Sequence, residues 1–162
     1  MIDHSYLFLV IAISYLLGST PTSIIAGKTI RGIDIREHGS GNAGGTNAFR
    51  VLGFKPAVFV IFVDVFKGWL PPAFLAQSFF EIQSIPDLGI LQILCGFSAV
   101  IGHTYTIFGG FKGGKGVGTL GGMMIALFPS VFPFCFGIAI IAIVFTGYVS
   151  LASIIASCSL PI

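Results

Sequence analysis

Two short stretches of the 162-residue sequence concentrate side chains able to bind an anion. The first is Ser40-Gly41-Asn42-Ala43-Gly44-Gly45-Thr46-Asn47-Ala48-Phe49-Arg50. Its glycines permit positive-φ turns and close approach of backbone to a ligand. Ser40, Asn42, Thr46 and Asn47 supply uncharged donors and acceptors, and Arg50 adds a planar fork suited to phosphate or carboxylate. The structural alternative is a flexible loop joining two helices. The second stretch, Phe111-Lys112-Gly113-Gly114-Lys115-Gly116-Val117-Gly118-Thr119, leads from a loop into an apolar helix. Lys112 and Lys115 beside the amides of a helix N-terminus make a second anion site, or simply a basic loop that sets orientation. Gly109, Gly114 and Lys115 satisfy the spacing of a nucleotide P-loop, but Gly116 stands where Ser or Thr must bind magnesium, and no strand precedes. A P-loop is therefore excluded.

Other ionisable groups carry less. Asp64 and Lys67 are three apart on an expected helix, so they share a face and can pair. An ionisable residue inside a membrane span is a functional candidate, with a structural ion pair as the alternative. His103 reads as a packing residue near the end of a span, and His38 as a solvated one. No Ser/His/Asp order, acid–base pair of carboxylates or His-x-x-x-x-Asp arrangement is present. No catalytic residue is therefore assigned, and an enzyme of this sequence works by positioning charged substrates. Cys95, Cys135 and Cys158 lie in apolar runs and are expected as buried, inert thiols. Neither a metal site nor a cofactor is expected.

The elements that carry these stretches belong to a membrane. Residues are 55% hydrophobic and only 9% charged, against about 25% charged in soluble domains, and the mean hydropathy is +1.00. A net charge of +2 gives no reason to expect a nucleic-acid partner. Ser5 to about Ile25 reads as a retained first span, since Asp3-His4 lacks the basic start of a signal peptide. Gly18-Ser19-Thr20-Pro21 is expected to kink it, its freed backbone groups finding partners inside the protein. Pro56 to about Phe80 is a second span, interrupted by Asp64, Lys67 and Pro71-Pro72, and Leu88 to Phe108 a third. Val117 to Tyr148 as one helix would measure about 48 Å, too long for a core of about 30 Å. Pro129 and Pro133 divide it into Val117–Phe128 and Val131–Thr146. Gly147-Tyr148-Val149-Ser150 forms another break, and Leu151 to Ile162 begins a sixth apolar segment. The fold class is an all-α polytopic bundle of about five spans plus the start of a sixth, one integral membrane domain over 1–162.

Basic residues fill the polar stretches 28–55 and 109–116, whereas the link at 81–87 carries only Glu81 and Asp87. The positive-inside rule then puts the N-terminus outside and both basic loops in the cytoplasm. The Tyr148–Ser150 break returns to the same face, so three polar segments converge there.

Gly39 to Asn47, Asp64-Val65-Phe66-Lys67-Gly68, Gly102-His103, Phe111 to Val117 and Gly147-Tyr148-Val149-Ser150 together resemble the bacterial acyl-phosphate:glycerol-3-phosphate acyltransferases, the PlsY family, over essentially the whole chain. The resemblance implies transfer of a fatty acyl group from acyl phosphate to the 1-hydroxyl of glycerol 3-phosphate, giving lysophosphatidic acid for phospholipid synthesis. It implies that Ser40, Gly41, Asn42, Thr46, Asn47 and Arg50 form a first phosphate-binding motif and Lys112 and Lys115 a second. It further implies that Ser150 helps bind glycerol 3-phosphate, with Asp64, Lys67 and His103 in support. Substrate phosphate is implied to assist removal of the hydroxyl proton. The implied setting is the bacterial inner membrane, multi-pass, with the protein monomeric. Gly45 replaces the usual Ala and Thr106 a common Pro. A further family motif carrying His and Asn lies beyond the sixth span, so the chain is expected to be a truncated form lacking it. A transporter or binding protein for a phosphorylated solute is the rival reading, and an inactive truncated acyltransferase the third.

Overall fold

The computed structural model describes residues 4–82 and 87–159, so part of the expected link at 81–87, Asp3 and Pro161–Ile162 lie outside the described residues. The described residues are helical, with no strand among them. Contacts divide the chain into two compact units, one ending at Leu127 and the other beginning at Phe128.

In the first unit α1 (His4–Gly18) stops at the Ser19-Thr20-Pro21 break and α2 (Thr22–Arg31) resumes the span. The expected kink is present, and its freed carbonyls are satisfied from elsewhere in the bundle. Ser19 O accepts from the Thr106 hydroxyl, and Thr20 O accepts from Lys67 Nζ at 2.7 Å. The hydrocarbon core offers no water to these groups, so the bundle must supply donors. Then α3 (Gly45–Leu52) leads through Gly53 into α4 (Phe54–Leu70). A π-helical turn at Pro71–Leu75 follows, then α5 (Ala76–Ile82). Neither proline breaks the span, because the wider turn absorbs them and Gln92 Nε2 donates to Pro72 O at 3.1 Å. Asp87 caps α6 (Leu88–Thr104) by accepting from the amides of Gly89 and Ile90 at 2.8 and 3.2 Å. Last comes α7 (Val117–Leu127).

Three helical stretches are long and apolar enough to cross a bilayer among the described residues: Ser5–Arg31, Phe54–Glu81 and Leu88–Gly109. With only 11 residues, α7 is shorter than a span, but it is sheltered by α4 and α6. Glycines set these contacts. A Cβ on Gly68 would collide with the Thr119 carbonyl and one on Gly122 with the Val65 carbonyl. Gly18 against Ala99 and Gly102 against Tyr15 join α1 to α6 in the same reciprocal way. Small residues let backbones approach where lipid offers no hydrophobic drive. Ser98 Oγ donates to Ile11 O across the α1–α6 contact at 2.8 Å.

The second unit is the pair α8 (Phe132–Thr146) and α9 (Val149–Cys158). Gly147, at φ 72°, ends α8 in the left-handed region, and Tyr148 is the extended N-cap of α9. Ser150 thus lies in the first turn of α9, not in a longer break, because one extended residue suffices to restart the helix. The cysteine expectation also needs correction: Cys95 is buried, Cys135 is partly exposed and Cys158 is exposed. Among the described residues the second unit offers no third helix to cover Cys158.

Candidate active site

The first polar stretch is more ordered than a loop. Asp34 begins a 3₁₀ turn, Ile35–Glu37, by accepting from the Arg36 amide at 3.0 Å. The Arg36 guanidinium folds back on the same carboxylate, Nε to Oδ1 at 3.0 Å and Nη2 to Oδ2 at 2.7 Å. That contact holds the Asp34 carboxyl well below the ordinary range, at about 2, and raises Arg36. Gly39 and Gly41 then take φ of 63° and 72°, turns that glycine makes without Cβ strain. From Gly45 the chain is helical, because Ala48 and Leu52 recur on one face and are buried. Thr46, Asn47 and Arg50 therefore stand on α3 rather than in a flexible loop.

Asn47 differs from the other expected binding residues of this stretch. It is 1% exposed, its Oδ1 accepts from the Ser40 amide at 2.8 Å, and its Nδ2 donates to Ile35 O and His38 O, both at 3.0 Å. Each of its polar atoms is committed to folding this loop. Ser40, Gly41, Thr46 and Arg50 are exposed and Asn42 is partly so. His38 is exposed as expected, its Nδ1 3.1 Å from Asp34 O.

The lysine loop is shaped by its glycines. The amides of Gly113 and Gly114 donate to Thr104 O and His103 O at 3.0 and 3.2 Å. A Cβ on Gly113 would strike the His103 carbonyl, and one on Gly114 the His103 imidazole. Lys112 and Lys115 alternate with these tethered glycines and are exposed. Helix α7 follows directly, and the amides of its first turn have no intrahelical acceptor.

The two stretches meet. Arg36 Nη1 donates to Gly109 O at 2.6 Å and to Lys112 O at 3.2 Å. A cleft of about 560 Å³ opens between them, lined by Asp34, Arg36, Glu37, Gly41, Gly109, Gly110, Lys112 and Gly113. Of the expected binding residues, Gly41 and Lys112 line this cleft. Ser40, Asn42, Thr46, Arg50 and Lys115 are not among its lining residues. Ser150 belongs to the second unit, where its carbonyl accepts from Ser153 Oγ at 2.8 Å. Sequence reasoning missed Asp34 and Arg36. Their Asp-x-Arg spacing just before the glycines was the available signal.

Deeper in the same unit lies a polar cluster. Asp64 Oδ1 is 2.9 Å from Lys67 Nζ, and both side chains are buried. The Thr22 hydroxyl donates to the same oxygen at 3.3 Å, while His103 Nδ1 stays 3.6 Å away, beyond a hydrogen bond. The expected pairing of Asp64 with Lys67 is present, and the cluster ties α2 to α4 beside His103 of α6. Among the described residues no group of His, Cys, Asp and Glu is arranged to hold a metal ion.

Spanning helices that bring two cationic, glycine-rich segments together define a membrane-embedded protein. Known proteins narrow this. Residues 8–162 match the family model described as glycerol-3-phosphate acyltransferase. The glycerol-3-phosphate acyltransferase of Chlorobaculum parvum is 49% identical over 158 residues, which cover 94% of this chain and 68% of that protein. That of Chlorobium phaeobacteroides strain BS1 is 48% identical over 161 residues, 96% of this chain and 68% of that protein. The crystal structure of PlsY, an integral membrane glycerol 3-phosphate acyltransferase, in its glycerol 3-phosphate form aligns with a TM-score of 0.81 at 40% identity. It covers 94% of this chain and 73% of that one. The lysophosphatidic acid form gives the same TM-score at 38% identity. The chain belongs to the glycerol-3-phosphate acyltransferase family.

Proposed function

We propose that this membrane protein acylates the 1-hydroxyl of glycerol 3-phosphate with acyl phosphate as donor, and that the two glycine-rich segments bind the substrate phosphates. The observation that carries the site assignment is the junction of the segments through Arg36, with Gly41 and Lys112 both lining one cleft. Ser40, Asn42, Thr46, Arg50 and Lys115 are assigned to the same anionic groups. An acyl phosphate has an apolar tail and an anionic head, which suits a cationic site at the end of spanning helices.

The hydroxyl oxygen of glycerol 3-phosphate attacks the acyl carbon. A new ester C–O bond forms and the C–O bond to the donor phosphate breaks. Inorganic phosphate leaves with the electron pair of that bond and accepts the hydroxyl proton, so no protein base is required. Lysines and helix amides stabilise charge that develops on the acyl oxygen and the leaving phosphate. His103 is buried beneath the lysine loop, consistent with a supporting place rather than a base in the cleft. The basic segments are assigned to the cytoplasmic face of a bacterial inner membrane, with the N-terminus outside and the protein monomeric.

The test is product formation by the purified chain in lipid nanodiscs with glycerol 3-phosphate and either palmitoyl phosphate or palmitoyl coenzyme A. Lysophosphatidic acid is expected from the phosphate donor alone. Equal product from coenzyme A overturns the donor assignment.

A further inference from the structure

We propose that Arg36 is a positioning residue: its guanidinium, held by Asp34, sets the lysine loop against the first glycine loop and so tunes phosphate binding through that loop. The inference rests on the reading of the lysine loop as a phosphate site.

Three corners of the guanidinium have different work. Nε and Nη2 are committed to the Asp34 carboxylate, which fixes the plane of the fork and compensates its charge. Nη1 then crosses to two carbonyls of the lysine loop, Gly109 and Lys112. Among the described residues these are the only hydrogen bonds between residues 32–53 and 105–116. Between the two carbonyls lie Gly110 at φ 66° and Phe111 at φ 61°, the one non-glycine residue in the left-handed region among the described residues. A bulky residue holds that conformation only where surrounding contacts enforce it. Arg36 grips the loop on both sides of this point. On the far side, Gly113 and Gly114 are tied to the end of α6. Without the grip, Phe111 is free to relax and its neighbour Lys112 moves with it. Lys112 and Lys115 form no ion pair among the described residues, so their charge is available to a ligand whereas that of Arg36 is spent on Asp34.

The test is steady-state kinetics of the full chain in nanodiscs for Arg36→Gln, Arg36→Lys, Asp34→Asn, Lys112→Ala, Lys115→Ala and the Arg36→Gln/Lys112→Ala double variant. Arg36→Gln is expected to raise, by about tenfold, the same KM that Lys112→Ala raises, as for the loosening of one charge-assisted contact. Arg36→Lys keeps the charge and loses the fork, so it is expected to behave as Arg36→Gln does. The double variant is expected to be no worse than the more severe single one. An unchanged KM for Arg36→Gln, with only the folded fraction or kcat reduced, overturns the inference while the lysine variants still raise KM. Wild-type KM in Arg36→Lys overturns it too. If Lys112→Ala and Lys115→Ala leave both KM values unchanged, the phosphate-site reading falls and this one with it. Should Arg36→Gln fail to insert, Asp34→Asn decides: it frees the fork, and a rise in the same KM supports the inference while an unchanged KM overturns it.

Discussion

Asp64 and Lys67 pair at 2.9 Å inside the bundle, and Lys67 reaches on to the Thr20 carbonyl at 2.7 Å. One ammonium therefore neutralises a buried carboxylate and satisfies the break in the first span. Removing one member of a buried pair leaves an uncompensated charge, at a cost of about 3–5 kcal/mol. Lys67→Met is expected to lower thermal stability in detergent by that order, and Asp64→Asn/Lys67→Met to recover most of it. A double variant as unstable as Lys67→Met alone would show that the ammonium matters chiefly to Thr20.

The α4–α7 contact depends on the absence of two side chains. Gly68→Ala and Gly122→Ala each drive a methyl into a facing carbonyl, an overpacking expected to cost about 1–3 kcal/mol. Gly137 in α8 has nothing within 4 Å of its missing Cβ, so Gly137→Ala is expected to leave the melting temperature unchanged or raise it. Equal melting temperatures in all three variants would contradict the packing described here.

The spans were legible because composition, proline positions and the clustering of basic residues act over many residues. The break at Ser19–Pro21 and the division of Val117 to Tyr148 followed from prolines that cannot extend a helix. What sequence could not give was partner choice. Asn47 sits among residues that read as ligand-binding, yet its amide is the internal brace of the loop, and only folding shows which donors meet which carbonyls. Arg36 was hidden for the same reason, since its acceptors lie over 70 residues away. Ser150 reads as part of a break because Gly147 announces a helix end but does not say how soon the next helix starts.

The brace makes its own prediction. Asn47→Ala leaves the Ser40 amide without its acceptor and takes one of two donors from each of two carbonyls, so activity and melting temperature are expected to fall together. Thr46→Ala removes an exposed hydroxyl and is expected to weaken substrate binding while stability holds. Differential scanning fluorimetry beside initial rates separates the two. The reverse pattern would exchange their roles.

Asp34 gives the clamp a defined pH range. Its folded value, about 2, lies below the unfolded value of about 3.9. The contribution is therefore fully present above the unfolded value and lost as pH falls through the folded one. Hydrogen exchange over residues 107–116, corrected for intrinsic rates, is expected to show constant protection from this pair between pH 5 and 8. Asp34→Asn is expected to lower protection throughout that range. Protection in the native chain that vanishes near pH 6 would assign the clamp to a different group.

The central claim is that the two glycine-rich segments hold the substrate phosphates of an acyl transfer. It is tested most directly by lysophosphatidic acid formation from palmitoyl phosphate and glycerol 3-phosphate in Arg50→Ala and Lys115→Ala, with insertion and melting temperature confirmed for each. A large loss of turnover in both inserted variants at substrate concentrations below the native KM is the predicted result. Native kinetics in both would contradict the assignment.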